Sequence, residues 1–236
     1  CIVGPTGIGK SALAVEMASL LNGEIISADS VQVYQGLDIG SGKITETEMI
    51  ASNGKFIPHH LLSFLAPDEK YSVAAFKSKV EKLVPAIIGT GKLPFLVGGT
   101  GLYVEAVIDP YRFPELPRNE KLRQRLKSIA TKKGKEFLHQ KLYSVDPVSA
   151  KKIHQNDIRR VIRALEVYYQ TGTPISAAGS RSPGKGKSKY DLFYIGLEGE
   201  RTYIYERINN RVDQMMAEGL IEEVIGLLNA GHNKNL

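Results

Sequence analysis

The sequence has a single cysteine, and it is the first of the 236 residues. No disulfide framework can be built, which points to a reducing compartment and a cytoplasmic protein. No apolar run approaches the roughly 20 residues of a membrane-spanning helix, and no secretory leader is visible, so no membrane role is expected. No internal repeat is present, which excludes solenoids and propellers. The guanine-reading stretch Asn-Lys-x-Asp is missing too, and a GTPase is set aside with it. The chain opens without Met, inside its first strand, and closes straight after a helix. We read it as part of a longer protein.

A 42% share of hydrophobic residues is sufficient for a proper core. The net charge of +6 is unevenly spread. Residues 112–163 hold 15 Lys and Arg against 5 Asp and Glu, a local balance of +10, and the remainder sums to −4. A run of charge on a helix is ordinarily a solvated face. An asymmetry this large favours a polyanionic partner, nucleic acid before membrane.

Gly4, Pro5, Thr6, Gly7, Ile8, Gly9, Lys10 and Ser11 fit G-x-x-x-x-G-K-[ST], the phosphate-cradling loop. Its glycines let the backbone turn several N–H groups onto one face, where they bind phosphate oxygens with the positive end of the next helix. Lys10 reaches the terminal phosphate, and the Ser11 hydroxyl is a ligand for Mg²⁺. Ile2-Val3 read as the end of a buried strand, and 12–21 as a helix closed by Gly23.

A second strand at 24–27 runs into Asp29, Ser30, Val31 and Gln32. Polar residues at a strand's carboxyl end lie where α/β sheets bind ligands. Asp29 has three readings: metal ligand, general base, or cap of the next turn. The loop 37–43 is polar and able to approach phosphates, and 45–51 suggests a short helix. His59 and His60 alternate across a strand, which argues against a shared metal and for structural roles. A long helix over 71–91 takes Ser72 as N-cap and Gly89 or Gly91 as its end, with a kink at Pro85.

Residues 93–97 are a continuous apolar run, as in a central parallel strand, and lead into Gly98, Gly99, Thr100 and Gly101 before another helix. Two glycine-rich loops and an acidic one at one sheet edge make a composed site. Helices are expected at 120–130, 134–143, 147–153 and 158–171, the last carrying Arg159, Arg160 and Arg163. Residues 180–188 read as a mobile loop and 191–197 as a further strand. Two final helices span 201–218 and 221–230, and Arg207 and Arg211 share one face of the first. The fold class is α/β, a parallel sheet of P-loop NTPase type flanked by helices, with a small helical insertion. The core comprises 1–111 and 179–236, and the basic insertion 112–178.

Several stretches together resemble the tRNA dimethylallyltransferase (isopentenyltransferase) family. They are Gly-Pro-Thr-x-x-Gly-Lys-Ser at 4–11, Asp-Ser-x-Gln-Val-Tyr at 29–34, Asp-Ile-Gly-x-x-Lys at 38–43 and Pro-His-His at 58–60. Val-Gly-Gly-Thr-Gly-Leu-Tyr at 97–103, Asp146-Pro, Ile153-His154, Asn156-Asp157, Arg160 and Arg-Ala-Leu-Glu at 163–166 complete the set. The resemblance implies transfer of a dimethylallyl group from its diphosphate to the exocyclic amine of the adenosine 3′ to the anticodon in tRNA, with release of pyrophosphate. Asp29 would then be the general base, and Ser30, Val31 and Gln32 would hold a flipped-out base. Thr6, Lys10, Ser11 and Thr100 would line the prenyl donor with Mg²⁺, Thr100 taking part in catalysis, and Arg211 would hold the pyrophosphate. Arg123, Arg159, Arg160 and Arg163 would contact the anticodon stem-loop. The implied protein is a monomer whose partners are tRNA and dimethylallyl diphosphate.

Ser41 stands where the family pattern leads us to expect Thr, and the family continues with further helices beyond Leu236. Alternatives are an adenylate isopentenyltransferase acting on free AMP, ADP or ATP, a P-loop small-molecule kinase, and an RNA-binding module without activity. The basic insertion argues against the first two, and an intact Lys10, Ser11 and Asp29 against the third.

Overall fold

In a computed structural model of the chain, residues 1–109, 118–177 and 188–232 are described. The expected mobile loop at 180–188, apart from Ser188, and the proposed junctions at 111–112 and 178–179 lie outside them. The chain divides into two compact units, Cys1–Pro110 with Lys187–Leu236, and Tyr111–Gly186.

The first unit is built on a five-stranded sheet with every pairing parallel. Its strands are β1 (Ile2–Val3), β2 (Gly23–Ser27), β3 (His59–His60), β4 (Leu93–Gly98) and β5 (Ile195–Gly196), in the order β3-β2-β4-β1-β5. β4 is central, as its uninterrupted apolar run requires, because both of its faces are covered. One face packs on α2 (Val73–Gly89) and α3 (Gly101–Ile108). Phe76, Val80, Val84 and Ile87 form the helical stripe there, and Phe76 stacks on Tyr103 with centroids 4.3 Å apart. On the other face Ala14, Val15 and Ala18 of α1 (Lys10–Leu20) meet Ile2, Ile25, Phe95 and Val97. Two long helices, α8 (Arg201–Ala217) and α9 (Leu220–Asn229), complete the unit.

Local chemistry explains most boundaries. The Ser72 side chain accepts the Ala75 N–H and starts α2, which continues through Pro85 to Gly89. Gly23 does not end α1. Leu21 caps it through Met17 O, Asn22 takes the left-handed turn at φ 51°, and Gly23 is buried as the first residue of β2 against the Phe95 ring. The segment 45–51 is one turn rather than a helix. The Glu48 carboxylate folds back onto the Thr45 N–H and hydroxyl, and Ala51 pairs with Lys55 instead. The expected strand at 191–197 shrinks to Ile195–Gly196, which pair with Ile2 and Val3; Phe193 is exposed. His59 and His60 find separate partners, Ile57 O and the Glu24 carboxylate, in keeping with structural roles. Among the described residues no helix is long and apolar enough to cross a membrane.

The second unit is helical: α4 (Glu120–Lys133), α5 (Lys135–Val145), α6 (Pro147–Lys152) and α7 (Ile158–Thr171). Leu126, Leu138, Leu142, Val161, Ile162 and Leu165 fill its centre. Inside that apolar group sits Glu166, fully buried. Its carboxylate accepts Nε and Nη2 of Arg123, Nη1 of Arg163 and the Asn119 N–H, all at 2.7–2.8 Å. Burial alone would raise the Glu166 pKa. The hydrogen bonds from Arg123, Arg163 and Asn119 overcome that and hold it down at about 2. Asp146 is similarly enclosed, accepting from Ser149 and Ser176.

Two outcomes follow from these contacts. Gly98→Ala places a Cβ on the Ala28 carbonyl, at a point where two backbones touch. It should cost about 3 kcal/mol in urea unfolding, the upper end for overpacking. Glu166→Gln leaves two guanidinium groups uncompensated and should cost about 3–5 kcal/mol near neutral pH. Because the folded-state pKa is depressed, the Glu166 contribution is complete above the unfolded value near 4.5 and fades as pH falls towards 2. The stability gap between wild type and Glu166→Gln, followed by thermal melts, should therefore close over that window.

Candidate active site

Strand order determines which loops become neighbours. β1, β2 and β4 are adjacent and parallel, so the segments that follow each strand emerge at one edge. After β1 the backbone enters the phosphate-type loop. A Cβ at Gly4 would stand 2.7 Å from Leu197 O, and Gly7 and Gly9 take left-handed angles of 81° and 101° that disfavour other residues. α1 then starts at Lys10 with no side-chain cap. Among the described residues, the N–H groups of Gly9, Lys10 and Ser11 donate to no protein acceptor. They form the positive end of α1 and are free for an anion.

Lys10 Nζ donates to Pro5 O at 2.8 Å, folding the side chain back over this loop. Gly99 borders it: a Cβ at that position would lie 3.7 Å from Lys10 Nζ. Burial lowers the Lys10 pKa, the Asp29 charge opposes that, and the Arg211 charge adds to it. Lys10, Asp29 and Arg211 therefore share one electrostatic neighbourhood, although they come from α1, the end of β2 and α8.

The segment after β2 is stitched to the one after β4. The Ala28 N–H donates to Val97 O at 2.7 Å, the Thr100 N–H to Ala28 O at 3.3 Å, and the Ser30 N–H to Thr100 Oγ1 at 3.2 Å. Only glycine fits at 98, against the Ala28 carbonyl. Asp29 Oδ1 accepts the N–H groups of Val31 and Gln32 at 2.8 and 3.3 Å, which is a cap. Its Oδ2 accepts no hydrogen bond among the described residues. One oxygen orients the carboxylate and the other is available to a ligand, so the capping and general-base readings are compatible. Tyr103 lies behind, its pKa pushed up to about 12 by burial and then by Tyr34 and Asp29.

Gln32 reaches the polar loop 37–43: its Nε2 donates to Gly42 O at 3.1 Å and to Ser41 O at 3.4 Å. Arg211 Nη2 donates to the same Gly42 O at 2.7 Å, and a Cβ at Gly42 would overlap that guanidinium. Arg207 Nε donates to Gly7 O inside the phosphate-type loop, with its guanidinium over the Tyr203 ring. Both α8 arginines thus reach the site, Arg211 partly buried and Arg207 still open to solvent. Ser11 and Thr6 are exposed. Among the described residues no group of three His, Cys, Asp or Glu side chains is placed to hold a metal. A lone hydroxyl beside an anion site suits Mg²⁺, which keeps several waters and takes its other ligands from phosphate oxygens.

The four arginines expected to meet nucleic acid belong to the helical unit. Arg159 and Arg160 are exposed, Arg160 pairing with Asp157 at 3.3 Å. Arg123 and Arg163 are instead tied to Glu166, with side chains 19% and 32% exposed. Sequence reasoning missed Glu166 as their anchor. Its signal was a carboxylate on the apolar side of α7, four residues on from Ile162 and next to Leu165. The attachment of Arg207 to Gly7 had no comparable signal.

The chain matches the model of the family described as IPP transferase over residues 32–236. It is 48% identical, over 99% of its length and 73% of the relative's, to the tRNA dimethylallyltransferase of Carboxydothermus hydrogenoformans. The full-length tRNA isopentenylpyrophosphate transferase of Bacillus halodurans superposes with a TM-score of 0.65 at 45% identity, covering 99% of this chain and 70% of that one. A eukaryotic dimethylallyltransferase, captured acting on tRNA, gives a TM-score of 0.76 at 31% identity, with coverages of 97% and 55%.

Lys10→Ala should weaken binding of inorganic pyrophosphate by about 10- to 100-fold in calorimetry, the worth of one charge-assisted hydrogen bond. Equal affinity in the two proteins would remove Lys10 from the site.

Proposed function

Because the chain belongs to the IPP transferase family, we propose that it moves a dimethylallyl group from dimethylallyl diphosphate to the exocyclic amine of the adenosine 3′ to the anticodon in tRNA, releasing pyrophosphate. One observation carries the proposal. Hydrogen bonds join the Asp29 segment to Thr100 and, through Gln32 and the Gly42 carbonyl, to Arg211, while Gly99 lies against Lys10 beside the free N–H groups of the phosphate-type loop.

The reaction breaks the bond between the allylic carbon and the diphosphate oxygen and forms one from that carbon to nitrogen. The amine is a weak nucleophile, its lone pair delocalised into the adenine ring, and it must lose a proton as the bond forms. Asp29 Oδ2 is the acceptor, with Oδ1 fixed by Val31 and Gln32 so that the carboxylate cannot swing away. The Thr100 oxygen accepts from Ser30, which leaves its O–H to donate towards the departing diphosphate. Charge builds on that group as the carbon–oxygen bond stretches. The amides at 9–11, Lys10 and Arg211 stabilise it from fixed positions. Ser11 would hold Mg²⁺, whose charge offsets that of the diphosphate.

The base must leave its stack to reach Asp29, and Ser30, Val31 and Gln32 line that approach. A basic helical unit exposing Arg159 and Arg160 suits the phosphates of an RNA stem-loop, and Arg123 and Arg163 join them from their pair with Glu166. A tRNA substrate accords with a cytoplasmic enzyme. Relatives named for tRNA at nearly half identity leave no case for the free-nucleotide or kinase alternatives.

The test is transfer of radiolabelled dimethylallyl diphosphate by the full-length protein, with Mg²⁺, to an anticodon stem-loop RNA, with AMP as a competing acceptor. Label should enter RNA and not AMP, and Asp29→Ala should lower kcat by about 10²- to 10⁴-fold with little change in stability. Label in AMP alone, or full activity without the carboxylate, would overturn the proposal.

A further inference from the structure

Glu223, on α9, makes an unusual set of contacts. Its Oε2 accepts the N–H groups of Asp38 and Ile39, both at 2.7 Å, and its Oε1 accepts that of Gly40 at 2.9 Å. Three successive amides converging on one anion form a nest, the arrangement by which a turn holds a phosphate. Here the chain fills the nest itself, with a side chain about 185 residues further on.

The flanking residues are shaped for the same contact. Leu220 and Leu227, three before and four after Glu223, lie on its face of α9. Leu220 stands 3.0 Å from where a Cβ would sit at Gly40, and Leu227 stands 3.3 Å from one at Gly36. Leu220, Glu223 and Leu227 are the partly buried residues of a helix whose other side chains are exposed.

The gripped loop is short and internally bonded. The Gly42 N–H donates to Ile39 O at 2.8 Å and the Lys43 N–H to Asp38 O at 3.0 Å. The Glu223 carboxylate and the Gly42 carbonyl therefore hold opposite ends of one rigid turn. That carbonyl binds Gln32 on one side and Arg211 on the other.

We propose that Glu223 is a positioning residue for the reaction: through the 37–43 turn it sets the Gly42 carbonyl, which aims Gln32 at the base and Arg211 at the diphosphate. The inference rests on the roles proposed above for those two residues. A carboxylate is required, because three donors need acceptors on both oxygens. Glutamine would set an NH₂ against an N–H, and aspartate is one methylene short.

Glu223→Gln and Glu223→Ala in the full-length protein test it by melting, by calorimetry with inorganic pyrophosphate, and by steady-state transfer with each substrate varied. Both variants should fold, bind pyrophosphate at least tenfold more weakly, and show raised KM for both substrates. A tenfold loss in kcat/KM corresponds to about 1.4 kcal/mol. The loss in Glu223→Ala/Arg211→Ala should fall well short of the product of the single losses, as expected when one residue acts through the other. Wild-type constants in a variant with a lowered melting temperature would overturn the inference and leave Glu223 a purely structural residue. So would losses that multiply fully with those of Arg211→Ala. Should the wild type transfer nothing to RNA, the proposed reaction fails, and the pyrophosphate affinities still decide the role of Glu223. If neither variant folds, Glu223 belongs to the fold and the inference falls.

Discussion

The reactive edge depends on a single close approach, that of the Gly98 backbone to the carbonyl of Ala28. Parallel pairing of β2 with β4 brings the two strands into register, but pairing alone would let the chains diverge past the last ladder bond. Here they stay together for three further residues, linked by Ala28 N–H to Val97 O, Thr100 N–H to Ala28 O and Ser30 N–H to Thr100 Oγ1. A side chain at 98 would wedge them apart. Asp29 and Thr100 thus lie side by side past the ends of two strands with a geometry set by backbone, which has fewer soft torsions than side chains.

The electrostatics of the site reflect a compromise. Partial burial of Lys10 is costly, and Arg211 nearby adds to that cost. Asp29 relieves part of it, so the carboxylate assigned to take a proton also keeps an anion-binding cation tolerable before any anion is bound. The helical unit solves a similar problem with the sign reversed. There a buried carboxylate is stabilised by two guanidinium groups that remain partly open to solvent. Each unit sets its ionic groups against low-dielectric walls, where fixed charge acts more strongly than on an open surface.

What could be read from the sequence was what neighbouring residues decide together. The phosphate-type loop is contiguous, and its signal lies in glycine backbone angles and one lysine. The apolar run at β4 announced a central strand, and helix spans came out close because caps such as Ser72 act within one turn. Errors arose where a distant partner intervened. Gly23 looked like a helix stop and is a strand start, because Phe95 occupies the space a side chain would need. The strand expected at 191–197 is confined to the two residues that pair with Ile2 and Val3. Arg123 and Arg163 read as surface cations, and Glu166, 43 residues from Arg123, draws them in. The Gly42 carbonyl, to which Gln32 and Arg211 both bind, carries no side chain to attract notice.

The placing of β1 also has a consequence for how the protein is made. Its neighbours are β4, which pairs Val97 with Ile2, and β5, which pairs Ile195 with the same residue. At ordinary ribosomal speeds the roughly 100 residues between those partners take about 5–20 s to emerge. Through that interval one side of β1 is an open edge, the kind that recruits other chains. The residues made meanwhile are those of the helical unit, whose local contacts close quickly. The phosphate-type loop receives its last support, Arg207 against Gly7, only when α8 has followed β5 out. A nascent chain therefore carries this loop without that support until α8 has been made, and through the same wait the β1 edge is the part of the sheet most in need of protection.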